Sequence, residues 1–384
     1  MRKVLAFLVT MGLLISMLPL NNVGAATEFS DISKHWGRSS IINAVAKGYV
    51  SGYPDGTFQP NNQVTRAEFI KMIVDDLGLT HSIDNKVWYQ PYVDTAVNSG
   101  IHVTDDFNEY NKPITRLEIT RLISRALVRN EDYKAYYDSF KGLYNGDLPF
   151  VDYRDFKQEE LPYLALAFGA RIISGYPDLS FGMDKQATRA EAVVMLGNFD
   201  VANVTTPVSY QYLNEMKEVA EFGTNAETVS TMKHQEETDL IHDVVIEHSN
   251  YTAVLKRVYI VPFKNSISMY ERKYISDRSI FGDRILNAYQ ATAICIVEFT
   301  AKKDGDANLY YNNLIPNTMY MYRDSTIQEK FKLTNWYMDG MYLFKKGKTV
   351  ELSLYALIDP EVHGFALNYR INGLQLDYPL LKNP

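Results

Sequence analysis

A four-residue phrase recurs in the first half of the chain, as Thr65-Arg66-Ala67-Glu68, Thr115-Arg116-Leu117-Glu118 and Thr188-Arg189-Ala190-Glu191. Each stands before an apolar run of helical period: Phe69, Met72, Ile73 and Leu77, then Ile119, Leu122, Ile123 and Ala126, then Ala192, Val193, Leu196 and Phe199. Thr-x-x-Glu in that setting is a capping box, in which hydroxyl and carboxylate satisfy amides that a first turn leaves orphaned. Three helices therefore start at recognisable points, and the chain is a repeat array. A second helical pattern precedes each cap, carried by Trp36, Ile41, Ala44 and Val45, by Trp88, Tyr92, Ala96 and Val97, and by Leu161, Leu164, Ala165 and Phe168. The unit is helix, loop, helix.

The loops carry a second signature. The first reads Gly52-Tyr53-Pro54-Asp55-Gly56-Thr57-Phe58 and the third Gly175-Tyr176-Pro177-Asp178-Leu179-Ser180-Phe181, each glycine lying 13 residues before its cap threonine. Pro fixes a turn angle, Asp bonds nearby backbone and Gly permits positive φ. The second repeat departs from this: between Gly100 and Pro113 it has no Gly-Tyr-Pro, and its cap holds Leu117 where the others hold alanine.

These loops and caps, recurring at one separation over about residues 29–199, resemble the S-layer homology family of three-repeat modules. The resemblance implies a mainly α-helical, pseudo-threefold module with grooves between neighbouring repeats, attaching an exported protein to a secondary cell-wall polysaccharide whose amino sugar carries ketal-linked pyruvate. Residues 29–79, 80–128 and 148–199 are then the repeats, the second degenerate, with 129–147 an insert or linker.

An Arg at the first helical position is mildly disfavoured by the helix dipole, so something should compensate. Free amides at the helix start plus a guanidinium would suit a pyruvyl carboxylate, which puts Arg66, Arg116 and Arg189 among the polysaccharide-binding candidates. Arg66 and Arg189, whose own repeats keep the whole loop, rank above Arg116, while a groove that combines an arginine of one repeat with the loop of its neighbour would let Arg116 serve an intact loop. A surface or inter-repeat salt bridge is the plainer role for each. Gly52 and Gly175 let backbone approach a sugar, Asp55 and Asp178 offer acceptors for hydroxyls, and Tyr53, Tyr176 or Trp36 offers a ring face. Packing at a helix start is the competing role for Trp36 and Trp88.

The rest of the chain bounds the function. Residues 1–26 read as a signal peptide: Arg2 and Lys3, an apolar run from Val4 to Leu20, and small residues at Gly24, Ala25 and Ala26. Cleavage near Ala25 or Ala26 leaves no later stretch long enough to span a membrane and implies a secreted protein, which the family resemblance places at the cell wall or cell surface. The net charge of −7 gives no bulk attraction for nucleic acid. The single cysteine, Cys295, excludes a disulfide framework and reads as a small buried hydrophobe.

Residues 200–209 read as a linker and 210–384 as a β-rich domain: one helix over 210–222, then strand-like runs at 243–247, 253–262, 291–300, 319–322, 341–344, 349–357 and 365–371. Their density suggests an antiparallel β-sandwich, perhaps of immunoglobulin-like form, with a partner the sequence does not name. His234, His242 and His248 lack metal-site spacing. Asp304 to Asn308 opens like a calcium loop, but Leu309 and Ile315 replace the required Gly and Glu, so a hairpin turn is expected. No nucleophile elbow, zinc-protease motif or phosphate loop is present. The expectation is a binding protein without cofactor or metal and not an enzyme; a wall-active hydrolase and a surface-lattice subunit are its rivals.

Overall fold

The computed structural model describes residues 29–82, 86–230, 243–247, 249–263, 268–274, 291–306, 343–358, 366–371 and 374–379. The expected signal peptide at 1–26, the strand expected over 319–322, the three histidines at 234, 242 and 248, and residues 307–315 lie outside these.

Helices come first in chain order: α1 (Arg38–Lys47), α2 (Arg66–Asp76), α3 (Gln90–Asn98), α4 (Arg116–Val128), α5 (Glu131–Ser139), α6 (Leu161–Gly169), α7 (Arg189–Val204) and α8 (Gln211–Phe222). The capping boxes at Thr65, Thr115 and Thr188 are all formed, each threonine accepting from the amide of its glutamate three residues on. The residue ahead of each cap closes a ring. Val64 N–H donates to Ala187 C=O at 3.1 Å, Ala187 N–H to Ile114 C=O at 2.9 Å, and Ile114 N–H to Val64 C=O at 2.9 Å. Three fully buried apolar residues thus lie on a pseudo-threefold axis, from which α2, α4 and α7 depart.

The stretch expected as an insert or linker, and part of the one expected as a linker, are structured. Residues 129–147 form α5 and two 3-10 turns, and α7 runs on to Val204 before a 3-10 turn at Pro207–Ser209. The buried Tyr133 hydroxyl ties α5 to the end of α7 through the carbonyls of Ala202 (2.8 Å) and Thr205 (2.9 Å). An added Cβ on Gly169 of α6 would stand 2.4 Å from a Leu213 methyl, so glycine there lets α8 pack closely on the third repeat. The repeats, the insert and α8 share one apolar core.

Beyond α8 come a short helix α9 (Ala226–Val229), the strands β1 (Val244–Glu247) and β2 (Tyr251–Pro262), a short helix α10 (Glu271–Tyr274), and β3 (Ala291–Ala301), β4 (Gly305–Asp306), β5 (Leu343–Phe344), β6 (Thr349–Ile358), β7 (Ala366–Ile371) and β8 (Leu374–Pro379). Four strands form one antiparallel sheet in the order β1-β2-β3-β6, while β4-β5 and β7-β8 are two-stranded ribbons. Among the described residues the β region is an antiparallel sheet with ribbons, one face of it packed on helices; the antiparallel pairing is as expected, and these residues show no second sheet of a sandwich. Gly305 and Asp306, expected within a hairpin turn, are paired as a strand with Phe344 and Leu343; the rest of that expected turn lies outside the described residues. Cys295 is buried, and burial pushes its thiol up to about 12, so it stays protonated and inert.

A bulge in β2 decides how the sheet meets the helices. Register with β3 shifts between Leu255 and Arg257, which turns Arg257 onto the face shared by Tyr259 and Val261. There its Nε and Nη2 donate to the two oxygens of Asp147 in the insert, at 2.9 and 3.0 Å. Tyr259 Oη adds a bond at 2.7 Å and the Tyr144 amide one at 2.8 Å. Both charged side chains are buried.

Candidate functional site

Each cap arginine leaves its own repeat and enters the loop of the next. Arg189 lies under the first loop, its guanidinium carbon 5.0 Å from the Tyr53 ring centre and 4.6 Å from that of Phe58. Its Nε donates to Phe58 C=O at 3.1 Å and its Nη2 to Ser51 C=O at 2.9 Å. Arg116 repeats this geometry in the third loop: Tyr176 at 4.7 Å, Phe181 at 5.2 Å, Nε to Phe181 C=O at 3.0 Å and Nη2 to Ser174 C=O at 2.9 Å. Arg66 enters the degenerate second loop, 5.0 Å from Phe107. Intact loops are thus served by Arg189 and Arg116. The ranking of Arg66 above Arg116, which assumed that each arginine serves its own loop, is corrected by this one-repeat offset.

The electrostatics of the three grooves differ. Arg66 is neutralised by Glu118, with Nε to Oε2 at 3.1 Å and Nη2 to Oε1 at 2.6 Å. Arg116 and Arg189, 7% and 8% exposed, form no ion pair among the described residues: both donate to carbonyl oxygens under aromatic rings, and Arg116 also reaches the Tyr176 hydroxyl, which in turn bonds Glu191. A largely buried cation without an ion pair of its own favours an incoming anion. In the Arg116 groove a second cation, Lys185, stands 3.6 Å from the Tyr176 ring centre.

The loss of the second groove is legible residue by residue. Counting back from the shared phenylalanine, His102 holds the position of Tyr53 and Tyr176. It turns inward, stacks on Phe107 at 4.7 Å, and bonds Asp106 and Tyr110 at 3.1 Å each. Asp106 also takes Arg125. Burial alone would raise the Asp106 carboxyl, but the bonds from His102 and Arg125 outweigh it and hold the group well below the usual carboxylate range. That loop is closed by its own side chains.

The helix-start amides, expected to be free for a carboxylate, are filled. Arg66 and Ala67 N–H donate to Lys112 and Tyr110 carbonyls, Arg116 and Leu117 to Lys185 and Met183, and Arg189 and Ala190 to Asn62 and Pro60, at 2.8–3.2 Å. Threefold closure spends them on the neighbouring repeat, so an anion has the guanidinium to meet and not the helix end.

The repeat loops and caps match the model of the S-layer homology domain at residues 28–70 and 149–193. The chain carries S-layer homology domains. Domains of this family anchor proteins to the cell wall. The chain is 28% identical over 193 residues to an exoglucanase, XynX, of Acetivibrio thermocellus, covering 48% of this chain and 17% of the relative. It is 47% identical over 47 residues to the cellulosome-anchoring protein of the same species, 12% of this chain and 10% of that one. It is 33% identical over 112 residues to an S-layer protein of Bacillus thuringiensis subsp. finitimus, 27% and 14%. The chain thus spans under a fifth of the length of each of these relatives.

Within the S-layer homology loops, some expected ligand contacts have structural work. Asp55 Oδ1 accepts from the Thr57 hydroxyl at 2.7 Å and amide at 3.0 Å, and Asp178 does the same with Ser180 at 2.7 and 2.9 Å. These bonds, the hydroxyl's first, hold both exposed carboxyls below their ordinary range. Gly52 is required by Phe29, whose ring an added Cβ would meet at 2.0 Å, whereas a Cβ at Gly175 would press on Phe150 at 3.1 Å. Trp36 is 65% exposed and precedes Gly37, whose Cβ position is 3.5 Å from Ala190 Cβ beside the Arg189 groove. Exposure removes packing as the role of Trp36 and leaves its ring available.

Two residues the sequence reading passed over shape the loops. Asp31 accepts from the amides of Phe58 and Gln59 at 2.9 and 2.7 Å, and Asp152 from those of Phe181 and Gly182 at 2.9 Å each. The signal was present as Phe29-x-Asp31 and Phe150-x-Asp152. One loop residue is misfit: Leu179 has φ of +66°, where the first loop places Gly56 at +81°. Leu179→Gly should therefore stabilise the protein by about 1 kcal/mol, read from the midpoint of urea unfolding; a loss of stability would contradict the strain.

Proposed function

We propose that the chain is exported and held at the bacterial cell wall by an anionic, pyruvylated wall polysaccharide bound in two of its three grooves. The observation that carries this reading is the contrast in charge: Arg189 and Arg116 sit buried and unneutralised against intact Tyr-Pro-Asp loops, while Arg66 is cancelled by Glu118 against a closed loop. A carboxylate reaching the free edge of either guanidinium gains charge-assisted hydrogen bonds. The adjoining rings of Tyr53, Tyr176 and Trp36 offer faces for a pyranose, and the remaining oxygens of Asp55 and Asp178 accept from its hydroxyls. The chemistry is binding without turnover, and the β region is what is displayed. The signal-peptide pattern of residues 1–26 supports the exported location.

The test is sedimentation of the full chain with purified walls. Binding is expected to walls that keep the secondary polymer and to fall to background once the polymer is stripped. Undiminished binding to bare peptidoglycan would overturn the reading.

A further inference from the structure

Asp76, the last residue of α2, is a carboxylate where the repeat pattern calls for core. Counted from the caps, its counterparts are Ala126 and Phe199, and the counterparts of Asp200 on α7 are Leu77 and Leu127. Both acids stand at one seam, where α1 and α2 of the first repeat meet α7 of the third. This seam closes the array between repeats that are not consecutive in the chain, and it carries the Arg189 groove.

The Asp76 side chain is 1% exposed, and neither of its oxygens has a hydrogen-bond partner among the described residues. Lys47 Nζ is 3.6 Å from Asp76 Oδ1 but 2.5 Å from Asp200 Oδ2, so it favours Asp200. The other titratable group facing the pair is the buried Tyr49, whose hydroxyl is pushed up by burial and by both acids. On neighbouring faces, Asp75 engages Lys71 and His81, Tyr92 of α3 lies against His81, and Asp94 of α3 accepts from Gln90. Ionised, Asp76 is a buried charge facing another carboxylate; protonated, it is a donor beside an acceptor.

We propose that Asp76 and Asp200 share a proton across the closing seam as a latch, which holds the first repeat on the third when present and loosens that seam when lost. An ordinary aspartate titrates near 3.8, and burial first, then the charge of Asp200, pushes Asp76 up to about 7. Between those values the folded chain keeps a proton that the unfolded chain has released. The penalty is absent below the lower value, grows as pH rises, and is complete above the upper one. The latch stands without any ligand; its consequence for the Arg189 groove rests on the binding function proposed above.

Amide hydrogen exchange of the full chain tests it, with protection factors compared at about pH 5.5 and about pH 8.5. In the wild type, the amides of Val64, Arg189 and Ala190, which cross the closing seam, should lose about tenfold or more of their protection at the higher pH. Those of Ile114, Arg116 and Leu117, which cross the other seams, should change little. Asp76→Asn, and Asp76→Ala with the residue found in the second repeat, should keep the closing seam protected at both pH values. Glu215 of α8, buried and pushed up to about 7 by burial, titrates in the same direction, away from the three seams; it and His35, which meets Asn61 near the closing seam, are unchanged in both variants, so the comparison with wild type isolates Asp76. Equal losses at all seams, or unchanged pH dependence in both variants, would overturn the latch. Failure of wall binding with the seam effect intact would count against the function alone.

Discussion

Arg116→Ala and Arg189→Ala should each weaken binding of a pyruvylated wall fragment at their own grooves by about tenfold or more, while Arg66→Ala should leave both grooves within about twofold of wild type. Hydrogen bonds to charged groups contribute roughly 1.5–3 kcal/mol each, and about 1.4 kcal/mol is a factor of ten. The Arg116 groove also holds Lys185 against Tyr176, so its loss should cost at least as much as the loss of the Arg189 groove. For an intact polymer that engages both grooves, either substitution removes avidity as well as one contact. Titration of the three variants, with circular dichroism to show that each is folded, gives the ranking. A dominant loss in Arg66→Ala alone would place the ligand in the closed groove and contradict the charge argument.

The largest stability effect is expected at the joint between insert and sheet. Asp147→Ala strands the Arg257 guanidinium in a buried site and removes acceptors from Tyr259 Oη and the Tyr144 amide. Breaking a buried ion pair on one side costs about 3–5 kcal/mol, whereas replacing both partners by apolar groups of similar size is often close to neutral. Urea unfolding should therefore show a large loss for Asp147→Ala and for Arg257→Ala, and a much smaller one for Asp147→Leu combined with Arg257→Met. Single losses below about 1 kcal/mol would mean that the pair does not hold the sheet to the helices. The same bonds explain why the β region is not a pendant on a flexible tether: the bulge at Leu255/Arg257 aims a charge into the helical module.

Local signals in the sequence located the repeats, and closure of the array decided the rest. Capping boxes act within four residues, so Thr65, Thr115 and Thr188 announce their helices wherever they stand. The pairing of Arg189 with Tyr53 spans more than a hundred positions and exists only because the third repeat closes on the first. Nothing near either residue records it, so whether an arginine serves its own loop or its neighbour's is left open by the sequence and decided by the fold. The helix-start amides were misread for the same reason, since the carbonyls that fill them come from the neighbouring repeat. The end of the array was also misplaced. Polar residues around Asp200 to Pro207 look like a linker in one dimension, yet α7 continues as far as Val204, where the Tyr133 hydroxyl of α5 takes the carbonyls of Ala202 and Thr205. For that reason the binding experiments use the full chain, whose core would be cut open at residue 199. Degeneracy of the second loop was visible from its missing Gly-Tyr-Pro, although the way His102 seals it needed the fold.

The most direct measurement is calorimetric titration of the full chain with a wall-polymer fragment bearing the pyruvate ketal, repeated after the ketal is removed. Two sites per chain are expected for the pyruvylated fragment, one lost in Arg116→Ala and the other in Arg189→Ala, with binding of the depyruvylated fragment weaker by about tenfold or more at both. Equal affinity for the two fragments, or two intact sites in the Arg116→Ala, Arg189→Ala double variant, would contradict an anion held by these guanidiniums.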